Sequence, residues 1–307
     1  MLSNKATLNP DFYDWNKIKV RYCDGASFTG DVERVDPATK LHFRGARVFL
    51  AIIEDLMAKG MRYAKNALLS GCSAGGLTST LHCDRFRSLM PMSTKVKCLA
   101  DAGYFINAKD VSGAEHIRNF YDEVVATHSS FSSDLEKNIN TVKCNAVLLS
   151  PPGYSIASNL FISMKNSCFY LPSIKNILAP GMADPHGHWH NCKEDINKCS
   201  ASQLQTMQGY RLEFIRALVG VGTSSRGMFI NSCYAHCQSE MQETWLRSDS
   251  PVLGKTVSYA VRAHCTTISK AVGDWYLDRN PFKKIDCPYP CDSSCHNRIF
   301  DNDNLSE

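Results

Sequence analysis

Gly71-Cys72-Ser73-Ala74-Gly75 is the stretch of this chain best suited to chemistry, because it falls where an apolar run gives way to a helical pattern. In a nucleophile elbow a serine sits on a tight strand-to-helix turn, with glycines on either side so that neighbouring backbone can approach and the hydroxyl projects into a site. The chemistry is acyl transfer to and from serine, and it needs a base. His236 is placed for that role: it follows the strand-like Gly227-Met228-Phe229-Ile230-Asn231, lies well after the serine, and stands between Cys233 and Cys237, which can fix its loop. The competing readings are an ordinary glycine-rich turn and a structural histidine, so the flanking elements decide.

Those elements agree with the elbow. Residues 46–59 carry Val48, Phe49, Ile52, Ile53 and Leu56 at helical spacing, and Gly60 closes the helix. Asn66-Ala67-Leu68-Leu69-Ser70 suits a buried parallel strand, and the run from Gly76 through Phe86, free of proline until Pro91, reads as the helix after the turn. Residues 96–103 read as the next strand and residues 209–219 as a further helix. Residues 17–23 alternate cleanly and predict another strand, ending in a turn at Asp24-Gly25. Alternation of helix and strand around Ser73 predicts a mostly parallel sheet with helices on both faces, whose functional residues gather at the carboxyl ends of the strands.

A chain of 307 residues with 44% hydrophobic content can bury the core of one large α/β domain. No segment approaches the roughly 18 consecutive apolar residues of a membrane span. The net charge of +4 is small and its basic residues are dispersed, so neither nucleic acid nor membrane is expected as a partner. Fourteen cysteines, an even number, favour a disulfide-stapled secreted protein. Yet Met1 to Pro10 holds no signal-peptide pattern, from which the chain is expected to lack its true N-terminus. Two clusters could be weighed as metal sites, Cys287, Cys291 and Cys295 with His296, and His186, His188, His190 and Cys192 alternating along a possible strand. Disulfides and ordinary surface histidines are the default for both, and neither metal nor cofactor is expected. The remaining histidines are discounted locally, with His264 in a polar cysteine-containing stretch and His128 beside a serine-rich loop. Asn304-Leu305-Ser306 matches a glycosylation acceptor.

Beyond these patterns, Phe12-Tyr13-x-Trp15, Val20-Arg21-Tyr22-Cys23-Asp24-Gly25-x-Ser27-Phe28-Thr29-Gly30-Asp31, Leu41-His42-Phe43-Arg44-Gly45 and Gly71-Cys72-Ser73-Ala74-Gly75-Gly76 resemble the plant pectin acetylesterases, relatives of the animal lipid esterase Notum. The resemblance continues in Ala100-Asp101-Ala102-Gly103-Tyr104-Phe105, Ala183-Asp184-Pro185-His186-Gly187, Asn231-Ser232-Cys233-Tyr234-Ala235-His236-Cys237-Gln238 and Ala271-Val272-Gly273-Asp274-Trp275-Tyr276. It implies one α/β-hydrolase-like domain over residues 1–307, incomplete at its N-terminus, acting in the plant cell wall on acetylated pectin. It makes Ser73 the nucleophile, His236 the general base, and the backbone N–H of Ala74 one arm of the oxyanion hole.

The chain also departs from that pattern. The family stretch carrying the other oxyanion donors has no counterpart ahead of Leu2-Ser3-Asn4-Lys5. Residues 138–173 and 257–266 look atypical, and Leu171-Pro172-Ser173 stands where the family places the aspartate of its triad. No residue is identified as that acid; Asp184 has the expected chain order but no such role in the family. Two alternatives to pectin deacetylation follow: a catalytically impaired member that binds polysaccharide or does nothing, and a Notum-like deacylase of lipidated protein.

Overall fold

A computed structural model of the protein describes residues 1–128, 160–165, 187–219, 227–253 and 266–295. They fall into two compact units: an elbow unit of Lys17–Asn107 and Arg118–Phe161, and a histidine unit of Met1–Asn16, Ala108–Ile117 and Ile162–Glu307. No helix among the described residues is long and apolar enough to cross a membrane.

The elbow unit is built on two parallel strands, β1 (Asn66–Cys72) and β2 (Lys95–Asp101), in a register that runs from Asn66 opposite Lys95 to Cys72 opposite Asp101. Parallel strands need a crossover, and helix α2 (Ala74–Leu89) supplies it. β2 is buried almost throughout, as an inner strand should be. Helix α1 (Gly45–Ala58) lays Phe49 and Ile53 against Ala67, Phe86, Met90, Val96 and Phe28, the core of this unit. Its C-terminus is closed by Gly60 in the left-handed region, at φ 114°, where a side chain would be strained. Helix α2 buries residues on most of its circumference, including Thr78 and Ser79. Their hydroxyls donate to the carbonyls of Ala74 and Gly75, and Thr80 donates to Gly76, so none is stranded. A disulfide between Cys83 and Cys98 ties α2 to β2. Helix α3 (His116–His128) ends with His128 buried against the loop at Gly25 and Gly30, and strand β3 covers Leu160–Lys165.

The histidine unit pairs β4 (Gly227–Asn231) in parallel with β7 (Lys283–Ile285), and the short β5 (Val252–Leu253) antiparallel with β6 (Thr266–Thr267). Its helices are α4 (His190–Glu194), α5 (Ala201–Val219), α6 (Gln242–Trp245) and α7 (Ile268–Tyr276). Thr267 caps α7, its hydroxyl accepting from Lys270 N. The start of the chain is held to α7 by edge-on packing of Phe12 and Trp15 on Tyr276, with centroids 5.8 and 5.1 Å away. Arg279 adds a fork to Asp11, both bonds 2.7 Å, and a third bond to Asp274. Burial pulls the Asp274 carboxyl upward, yet hydrogen bonds from Lys270 and Arg279 outweigh it and hold it below the ordinary aspartate range.

Three sequence expectations change. Residues 17–23 alternate in sequence but join no strand ladder among the described residues. Val48 leaves the α1 stripe, 45% exposed, while Phe49 and Ile53 carry the packing. His190 opens a helix after Trp189, so His188 and His190 do not alternate along a strand. Elsewhere the elements are longer than their patterns: β1 runs on to Cys72 and α5 begins at Ala201. Most of residues 138–173 and of 257–266, with Asp184, His186, His264, His296 and Asn304, lie outside the described residues.

Candidate active site

Ser73 stands between β1 and α2 with φ 56° and ψ −119°, a conformation that costs a residue with a side chain about 1–3 kcal/mol. The surrounding backbone imposes it. Ser73 N–H donates to the Asp101 carbonyl at the end of β2, and the Ser73 carbonyl accepts from Leu77 N, both at 2.9 Å. A Cβ on Gly71 would lie 2.2 Å from the Gly75 carbonyl oxygen, so only glycine lets the turn close. Gly75 itself faces open space and contributes its carbonyl, not its missing side chain.

Ala74 is the first residue of α2, where N–H groups have no acceptor within the helix. Its N–H meets no acceptor among the described residues. An unpaired N–H beside a serine hydroxyl, at the positive end of a helix, is what a developing oxyanion requires. Cys72, on the other side of the serine, is disulfide-bonded.

His236 belongs to the histidine unit, half-buried in the loop that leaves β4. This loop is fastened at successive positions. Asn231 and Gln238, both buried, exchange reciprocal amide hydrogen bonds of 2.6 and 3.1 Å across its base. Ser232 donates from its N–H and its hydroxyl to Asp286, Cys233 is bonded to Cys295, and the Tyr234 hydroxyl donates to the Lys193 carbonyl. Cys237 is disulfide-bonded as well, and its φ of 61° turns the chain sharply after the histidine. Burial and the nearby Asp292 carboxylate push the Asp286 carboxyl above the ordinary aspartate range, against the bonds it accepts from Cys287 and Ser232.

Sequence reasoning overlooked what lies beneath the elbow. A Cβ on Gly103 would sit 2.2 Å from the Gly76 carbonyl carbon, so helix and strand end touch backbone to backbone. The clue was the glycine of Asp101-Ala102-Gly103. Two buried histidines were also passed over. His82 stacks on Phe49 at 4.4 Å, and burial, helped by Arg85, lowers its pKa to about 4. His128 packs edge-on to Phe43, and burial lowers it too, opposed by Asp24. Each leaves one buried ring nitrogen without a partner, Nε2 of His82 and Nδ1 of His128. They pack the elbow unit, where burial disfavours their charged forms.

The cysteines of both clusters weighed for metal are in disulfides, Cys287 with Cys291, Cys295 with Cys233 and Cys192 with Cys199. A disulfide sulfur lacks the thiolate that metal coordination uses. Among the described residues, Cys23 is the free cysteine and is exposed.

Known proteins resemble this chain over most of its length. The Pectinacetylesterase family model matches residues 1–296. Pectin acetylesterase 7 of Arabidopsis thaliana is 49% identical over 300 residues, which cover 96% of this chain and 73% of that protein. Pectin acetylesterase 11 of the same plant is 46% identical with the same coverage. A Xenopus laevis palmitoleoyl-protein carboxylesterase, notum2, is 30% identical over 113 residues, 36% of this chain and 23% of that protein. The solved structure of the Wnt deacylase Notum from Drosophila superposes with a TM-score of 0.70 at 16% identity, covering 96% of this chain and 78% of that one. That likeness establishes an α/β-hydrolase-like fold. By family match and by identity over most of its length, the chain belongs to the pectin acetylesterases, a family of carboxylic ester hydrolases.

Proposed function

We propose that this chain, as a single hydrolase domain, removes acetyl groups from cell-wall pectin outside the cell, with Ser73 as nucleophile and His236 as general base. The observation that carries the reading is the backbone of Ser73, held at φ 56° between a parallel strand and a helix. Its disulfides suit an oxidising, extracellular setting.

In this mechanism Ser73 Oγ attacks the acetyl carbonyl carbon as His236 takes the hydroxyl proton. Negative charge gathers on the carbonyl oxygen and is met by the Ala74 N–H; an oxyanion donor of this kind is worth about 2.7–4 kcal/mol of barrier. The bond to the sugar oxygen breaks, His236 returns the proton to that oxygen, and the sugar hydroxyl leaves. Water then adds to the acetyl-enzyme by the same steps and releases acetate. No residue is assigned as the acid that orients His236.

Acetate release from acetylated pectin by this chain, measured beside Ser73→Ala, tests the proposal. Release that persists undiminished in the variant, or none from the unaltered chain, overturns it. A parallel arm with a long-acyl ester tests the Notum-like alternative, which is favoured if only that ester is cleaved.

A further inference from the structure

The end of β1 opposite the nucleophile carries a surface that the ester chemistry does not use. Lys65 precedes the strand and Ser73 follows it, roughly 25 Å apart at about 3.3 Å per residue. Two turns meet at that end, the single-turn helix Met61–Tyr63 and the turn Pro91–Thr94, which is closed by a 2.9 Å bond from Thr94 N–H to the Pro91 carbonyl. They are tied to each other: the Thr94 hydroxyl donates to the Ala64 carbonyl at 2.8 Å, and Lys95 N–H donates to the Lys65 carbonyl at 2.9 Å. Arg87 braces the second turn further, donating to the carbonyls of Pro91 and Thr94.

On this braced backbone large side chains are left in water. Tyr63 is 81% exposed and Met92 95%, the most exposed large hydrophobic residues among those described. Single apolar residues at a surface are ordinary. Here they lie among uncompensated cations: between Asp55 and Asp101 the chain has seven basic residues and one acid, Asp84. Arg62 and Lys65, on either side of Tyr63, are exposed and have no carboxylate partner among the described residues, whereas Lys59 pairs with Asp55. Arg62 Nε donates to the Met57 carbonyl at 2.9 Å, which orients the guanidinium, and among the described residues its terminal nitrogens make no hydrogen bond.

We infer that Arg62, Tyr63 and Lys65 form a second polysaccharide-binding surface, remote from Ser73, for a polyuronate chain. The inference rests on the pectin reading for the identity of the polymer, since that substrate is itself a chain of uronic acids. Its carboxylates pair with Arg62 and Lys65 through charge-assisted bonds. The apolar face of a sugar ring lies on Tyr63, an amphipathic ring suited to a half-wet contact. Holding one stretch of the polymer here raises the local concentration of its other stretches around Ser73.

The test is binding of sodium polygalacturonate, free of acetyl groups, to the whole chain bearing Ser73→Ala, so that no turnover enters. Saturable binding is expected, and it should weaken as added salt shortens the screening length to about 10 Å at 0.1 M. Arg62→Gln with Lys65→Gln should weaken binding about tenfold. Tyr63→Ala should weaken it about fivefold, and Tyr63→Phe should keep it. These side chains are exposed, so the melting temperature should hold in each variant. Lys283→Gln with Lys284→Gln removes the same charge from another exposed segment and should leave binding nearly unchanged. No binding, an equal loss in that control, or binding that survives either the Arg62 and Lys65 double substitution or Tyr63→Ala overturns the inference. Dextran sulfate held as tightly as polygalacturonate, with no dependence on Tyr63, also overturns it in favour of a bare charge patch. Acetate release is read separately with the unaltered chain, so loss of either proposal leaves the other standing.

Discussion

Gly76 in α2 and Gly103 beyond β2 meet with no side chain between them: a Cβ on Gly76 would lie 2.8 Å from Gly103 Cα, and one on Gly103 would lie 2.2 Å from the Gly76 carbonyl carbon. This contact seats the helix that begins at the nucleophile directly on the strand end whose Asp101 carbonyl binds Ser73 N. Gly103→Ala therefore pushes helix and strand apart. It should lower stability by about 1–3 kcal/mol and reduce acetate release with it. Gly75→Ala, which meets open space, should leave the denaturant midpoint unchanged or raise it. Urea unfolding of the two variants beside the unaltered chain makes the comparison.

Ser73 is strained by its place in the turn, so activity and stability should separate there. Ser73→Ala keeps the strain and loses the hydroxyl. Ser73→Gly loses both, and should be the more stable of the two by about 1 kcal/mol although neither releases acetate. Equal midpoints for the two would show that the turn stores no strain.

His82 makes the fold sensitive to acid. Its pKa is near 6.5 in the unfolded chain and about 4 when folded, the value being lowered by burial and by Arg85. The unfolded state therefore binds a proton first as the pH drops. Stability is intact above pH 6.5 and declines as the pH falls toward 4, by roughly 2–3 kcal/mol at pH 4.5 from this group. His82→Gln removes that titration. Its unfolding free energy should change less between pH 7 and 4.5 than that of the unaltered chain, whatever its own stability; identical slopes would refute the assignment.

The buried amide pair of Asn231 and Gln238 closes the loop that carries His236. Gln238→Leu strands the Asn231 amide, which costs about 1–3 kcal/mol, and frees the loop base. Turnover of acetylated pectin should drop by an order of magnitude or more while KM stays within a few-fold, since Gln238 positions and does not bind. A change confined to KM would place Gln238 in substrate recognition instead.

Much of this was legible in the chain beforehand. The stripe at Phe49 and Ile53, the apolar run at residues 66–70 and the G-x-S-x-G spacing predicted helix, strand, turn and helix, and these formed because local pattern and burial agree there. Residues 17–23 had the pattern and no ladder, since alternation specifies a strand only when a neighbour pairs with it. Gly103 and Asp101 were hidden for another reason: a close backbone approach is a relationship between distant positions, and neither residue shows it alone. His82 and His128 could not be sorted from surface histidines, because burial of a ring against Phe49 or Phe43 is decided by packing.

The hydroxyls of α2 return each to a carbonyl one turn back, at Thr78, Ser79 and Thr80. These three side chains thus carry their own solvation into the interior and make no polar demand on whatever covers them. What packs over them need only match their shape, so hydrocarbon alone can cover this stretch of the helix.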